Sequence, residues 1–173
     1  MYQYFNRYKI LQVFFDKPNK KFQLREISRV TKISLPSVKN HITELLKNDL
    51  VKIVNNGLYK GYKSSFSEKY KILKRNDLLT RIQESGLIDE LGKIFTPNCI
   101  VLYGSAIGGT DDERGDIDLF IQSSKKNIDL KKYENMLNRT INIVFEPNIT
   151  NIDTTFKNTL SNGIVLKGFL KVI

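Results

Sequence analysis

Ile100-Val-Leu-Tyr-Gly-Ser-Ala-Ile-Gly-Gly-Thr-Asp-Asp-Glu-Arg-Gly-Asp-Ile-Asp-Leu-Phe-Ile121 is the stretch on which the reading of this 173-residue chain turns. Its apolar start, Ile100 to Tyr103, reads as a buried strand that runs into Gly104-Ser105. A Gly-Ser turn opening a helix lets phosphate oxygens approach backbone N–H groups, and the helix N-terminus adds a field that favours an anion. After a polar loop, a second strand over Asp116 to Gln122 carries Asp116 and Asp118 two residues apart. Period-two geometry puts both carboxylates on one face and Ile117 and Leu119 on the other. Two adjacent carboxylates facing a phosphate-binding turn repel each other unless a divalent cation lies between them, and oxygen ligands of this kind suit Mg2+. The expected chemistry is metal-assisted and directed at a nucleoside triphosphate (NTP).

Strand, Gly104-Ser105, spacer and Asp116-x-Asp118, in this order, closely resemble the polymerase-beta-type nucleotidyltransferase superfamily. The resemblance implies that Gly104 and Ser105 hold the triphosphate, while Asp116 and Asp118 bind up to two Mg2+ ions and serve as catalytic residues. It also implies a third carboxylate on a following strand, which helps activate the acceptor hydroxyl. That strand reads as Thr140 to Phe145, and the matching position is Asn142. Asparagine is neutral and cannot act as a general base. Glu146 shares the strand face of Asn142 but lies about 13 Å further along. Asp111, Asp112 and Glu113 read as a solvated acidic loop. Whether the chain is an enzyme is therefore open at this point.

Upstream, Tyr4, Tyr8, Ile10, Leu11, Phe14 and Phe15 fall at helical spacing before the turn residues Lys17-Pro18-Asn19. Leu24, Ile27 and Val30 mark a second short helix broken at Thr31-Lys32-Ile33. Ser34 is a candidate N-cap and Pro36 suits the first turn of a third helix that ends near Asn48. Its inward stripe of Val38, Ile42, Leu45 and Leu46 leaves Ser37, Lys39, Asn40 and Thr43 facing out. His41, beside that stripe, reads as packed. Then come two β-capable runs, Leu50 to Val54 and Leu58 to Lys63, joined at Asn55-Asn56-Gly57. The run Leu24 to Lys63 resembles the winged helix-turn-helix modules of bacterial and archaeal transcriptional regulators. That implies double-stranded DNA as a partner, with Ser37, Lys39, Asn40 and Thr43 toward the major groove and Lys52, Lys60 and Lys63 on the wing meeting phosphates or an adjacent minor groove.

Charge separates the halves: residues 1–70 hold 14 Lys/Arg against 5 Asp/Glu, and residues 71–173 hold 14 against 13. A basic first half fits a polyanionic partner. Lys60 to Arg75 reads as the exit of the hairpin and a connecting segment, with a helix capped at Asn76 or Asp77 and another after Gly86. The expected domains are 1–70 and 71–173, in an α+β chain: three helices with a hairpin wing, then a small mixed sheet of nucleotidyltransferase type. A helix around Asp153 to Leu160 and a strand over Ile164 to Lys167 close it, resembling the end of the minimal nucleotidyltransferases fused to a winged helix.

One cysteine, Cys99 in an apolar run, and one histidine exclude a disulfide framework and a Cys/His zinc site. No apolar run reaches the length of a membrane span and no secretory leader is evident, so a cytoplasmic location is expected. Three functions fit this reading. The chain is either a transferase that places a nucleoside monophosphate on an acceptor such as a protein, a silent nucleotide-sensing regulator, or an antitoxin-type member of a toxin–antitoxin pair. A homodimer through the first helix, with Phe14 and Phe15, competes with packing of both rings in the core.

Overall fold

Four apolar residues on one side of the first helix, Ile10, Leu11, Phe14 and Phe15, are all buried, so α1 (Tyr2–Asp16) is held by its inner face. Both phenylalanines thus belong to the module's own core. The computed structural model describes residues 2–56, 59–113 and 115–171. Helix α2 (Leu24–Thr31) stops where Lys32 turns left-handed at φ 57°, and α3 (Leu35–Lys47) follows. Ser34 does occupy the N-cap position, but its hydroxyl makes no cap bond; only its carbonyl joins the helix, accepting from Val38 N at 2.9 Å. Helix α3 buries Val38, His41, Ile42 and Leu45, whereas Leu46 is half-buried at its edge.

Strands β1 (Val51–Asn56) and β2 (Tyr59–Ser64) pair antiparallel. Asn55 and Asn56 face Lys60 and Tyr59 across the ladder. Asparagines expected in the turn are therefore strand residues, and Gly57 and Leu58, between the strands, lie outside the described residues. Phe22 bridges Tyr62 on the other edge of β2 with two backbone bonds of 2.8 Å.

Lys60 to Arg75 does begin as the exit of the hairpin, but the connecting segment expected after it is largely helix. Strand β2 occupies its start, and α4 (Glu68–Glu84) runs unbroken through Asn76 and Asp77. Tyr70 explains the difference. Its ring is wholly buried 5.3 Å from that of Phe15, and its hydroxyl donates to Phe14 O at 2.7 Å while accepting from Ser64 Oγ. A helix anchored this firmly by one turn needs no cap further on. The chain divides into two compact units, Met1–Lys74 and Arg75–Ile173, and the division falls inside α4.

The second unit continues with α5 (Leu87–Phe95), β3 (Cys99–Tyr103), α6 (Ser105–Gly108), β4 (Ile117–Ile121), α7 (Lys131–Leu137), β5 (Ile141–Phe145), a 3-10 turn at Ile149–Asn151, α8 (Thr154–Ser161) and β6 (Ile164–Gly168). Its sheet has the order β5-β4-β3-β6, with β4 and β5 parallel and the other pairs antiparallel. Parallel neighbours need a crossover, and α7 supplies it. Alternation sorts the side chains. Ile100, Leu102, Ile117, Leu119, Ile121 and Ile141 pack on Leu78, Ile82, Leu87, Leu91, Phe95, Tyr133 and Leu137. Cys99, Val101 and Phe120 on the other face are covered by Leu160 and Phe156 of α8. Asp153 caps α8 by accepting from Phe156 N at 3.0 Å. Among the described residues, eight α-helices and two small sheets make a mixed α+β chain, and no helix is long and apolar enough to cross a membrane.

Candidate functional site

Asp116 sits one residue before β4 and Asp118 within it, both half-buried. In the parallel register of β4 and β5, Asp118 stands opposite Asn142. The Asn142 side-chain amide donates to both carboxylates from one nitrogen, to Asp116 Oδ2 at 3.2 Å and to Asp118 Oδ1 at 3.1 Å. Both acidic groups therefore converge on a single point, where a neutral donor offsets part of their repulsion.

Gly104 closes the other side. Its backbone adopts φ 84° and ψ −163° between β3 and α6, and a Cβ there would lie 2.5 Å from Asp118 Oδ2. Only glycine meets both conditions, because a side chain would be strained at this φ and would collide with the carboxylate. Gly104→Ala is expected to displace Asp118 and cost roughly 1–3 kcal/mol of stability, read by thermal melting. A variant as stable as wild type would show that the turn relaxes freely. Ser105, exposed, begins the single turn of α6, and its carbonyl accepts from Thr110 Oγ1 at 3.5 Å.

Tyr103, the register partner of Asp118, carries no signal in the sequence beyond closing the apolar strand. Its ring meets Phe156 edge-on at 5.2 Å, and burial, then the Asp118 charge, push its phenol above the usual range. It stays protonated near neutral pH.

The remaining acids do not join the pair. Glu146 accepts from Asn148 N at 2.9 Å and from Asn151 Nδ2 at 3.2 Å, which commits it to the following turn. Asp112 and Glu113 are exposed. Asp111 departs from the solvated loop expected of it: its side chain is 1% exposed and paired with Arg139. Among the described residues, no three His, Cys, Asp or Glu side chains are grouped to hold a metal ion.

In the first unit, Lys39, Asn40 and Thr43 are exposed on α3 and Ser37 is half-buried. Ser37, Asn40 and Thr43 line a groove of about 580 Å3 with Asn6, Arg7, His41 and Glu44. Glu44, which carries no signal in the sequence, adds an acid to this face and bonds Lys47 Nζ at 2.9 Å. The imidazole of His41 is held below its usual range by burial and by the nearby Arg7 charge, so at neutral pH it remains an uncharged packed group. Lys52 and Lys63 stand opposite each other on one face of the hairpin. Lys60 falls on the other face, beside Tyr62, Leu24 and Leu35, so the three lysines are not one row. Comparison with protein-family models, with curated proteins and with solved structures gives no match to this chain.

Proposed function

We propose that this chain is a DNA-binding protein whose first unit is a winged helix-turn-helix and whose second is a nucleotidyltransferase-type domain that binds Mg2+-NTP. One observation carries the second half of the reading: Asp116, Asp118 and Asn142 converge on one point beside a glycine whose missing Cβ leaves room for Asp118. The donor set fits Mg2+, because hard carboxylate oxygens on a half-buried strand end suit that cation. Asp116 and Asp118 would hold it, and when bound it supplies charge neutralisation and polarisation of phosphoryl oxygens. Backbone N–H groups at Gly104 and Ser105 offer donors for the triphosphate. Asn142 orients both carboxylates but can take no proton from an acceptor hydroxyl. That absence favours a second reading, in which the domain senses nucleotide without transferring it and shifts the affinity of the first unit for DNA, as a cytoplasmic transcriptional regulator would.

For the first unit, support comes from the short turn between α2 and α3, the polar outer face of α3, the adjacent hairpin and the basic balance of residues 1–70. The test is duplex binding by the full chain, followed by fluorescence anisotropy across a salt series. Lys52→Ala with Lys63→Ala should flatten the slope of log affinity against log salt by about 2, one for each phosphate that is no longer neutralised. Lys39→Ala with Asn40→Ala should instead remove sequence preference, about 1–3 kcal/mol for each base that is read. Two double variants that behave alike would refute this division of labour, and a wild type indifferent to duplex would refute DNA binding.

A further inference from the structure

Asp116 lies just outside the β4 ladder, so its carboxylate is aimed by whatever fixes the turn before it. Two tethers flank it. Ile117 N donates to Thr140 O at 2.9 Å, and the Gly115 carbonyl accepts from Arg139 Nη1 at 3.3 Å. The same Arg139 nitrogen bonds Asp111 Oδ2, and this ion pair is sunk in the protein, with side chains 14% and 1% exposed. Gly115 fits against the pair so closely that a Cβ would lie 2.8 Å from Asp111 Cβ and 3.2 Å from Arg139 Nη1. Arg139 and Thr140, just before β5, and Asn142, within it, thus grip the Gly115 peptide, the Ile117 amide and the Asp116 carboxylate in turn.

We infer that Arg139, locked by Asp111, is a positioning residue of Asp116 that acts from the backbone side while Asn142 holds the carboxylate, an inference that rests on reading Asp116 and Asp118 as the metal-holding pair. An exposed ion pair would be worth little here. A buried one with a charge-assisted bond fixes geometry, and removing either partner disturbs it. Arg139 acts through the Gly115 carbonyl, holding the peptide plane from which Asp116 departs.

Two readouts on the full chain test this. The first is the side-chain amide resonance pair of Asn142, assigned by its disappearance in Asn142→Asp, which reports where both carboxylates sit without any metal. The second is Mn2+ binding followed by water-proton relaxation. In Arg139→Gln and in the milder Asp111→Asn, the Asn142 amide resonances should shift and broaden and Mn2+ affinity fall about tenfold, while backbone amides in β3 and β6 stay in place. Arg139→Lys, which keeps a cation, should recover part of both. A purely structural role would lower the melting temperature and leave the Asn142 amide unmoved in the folded variants; that result overturns the inference. If wild type binds no Mn2+, the metal reading fails by itself, and the Asn142 resonances still decide the role of Arg139.

Discussion

Mg2+ with a nucleoside triphosphate is expected to raise the melting temperature of this chain, and Asp116→Asn with Asp118→Asn to erase the rise. A ligand that binds only the folded state stabilises it by about 2.7 kcal/mol at a hundredfold excess over its Kd, which amounts to several degrees in a chain of this size. The double variant keeps side-chain oxygens that accept from Asn142 but loses both charges. Its ligand-free form should therefore melt at or slightly above the wild-type temperature, since the repulsion between the two groups is gone. The pair of results is diagnostic. A general packing defect would lower the ligand-free melting point, whereas a site built for a cation loses only its response to ligand. If the double variant responds to Mg2+-NTP as wild type does, the ligand binds elsewhere and the nucleotidyltransferase reading of this unit falls.

How far such a site can be read in a sequence depends on whether its parts are local. Gly104 and Ser105 are legible because a strand must turn, and Asp116 and Asp118 because a two-residue step returns to the same sheet face. Asn142 is reached through strand pairing, and the parallel register brings it against both acids. The clamp of Arg139 on Asp111 spans 28 residues and leaves no local pattern. Helix α7 is similarly hidden. Only Tyr133 and Leu137 of its seven residues are buried, and two lysines and two polar residues dilute the period. In α4 the lysines around Tyr70 and Leu73 suggest a linker, although lysine is a good helix former and the buried Tyr70 hydroxyl decides the matter through its bond to Phe14 O, 56 residues upstream. The Asn-Asn-Gly signal marks the hairpin, yet both asparagines pair in the ladder. Turn chemistry locates a reversal to within a residue or two, and cross-strand packing of Val51 and Tyr62 on the core settles the register.

Asn142→Asp should separate enzyme from regulator, because it exchanges a neutral donor shared by Asp116 and Asp118 for a third negative charge. Without metal, two hydrogen bonds disappear and three carboxylates converge, so the variant should lose roughly 1–3 kcal/mol of stability at neutral pH. With Mg2+ the sign reverses. A third hard oxygen ligand should tighten metal binding by at least about tenfold, or 1.4 kcal/mol in the free energy of binding, so Mg2+ raises the melting temperature more in the variant than in wild type. The group introduced is also one that can accept a proton from an acceptor hydroxyl. Under the regulator reading, labelled triphosphate incubated with cell lysate and Mg2+ marks no acceptor with wild type and begins to mark one with Asn142→Asp. Under the transferase reading, wild type already labels an acceptor efficiently and the substitution changes little, which would mean that activation of the acceptor hydroxyl does not depend on a group at this position.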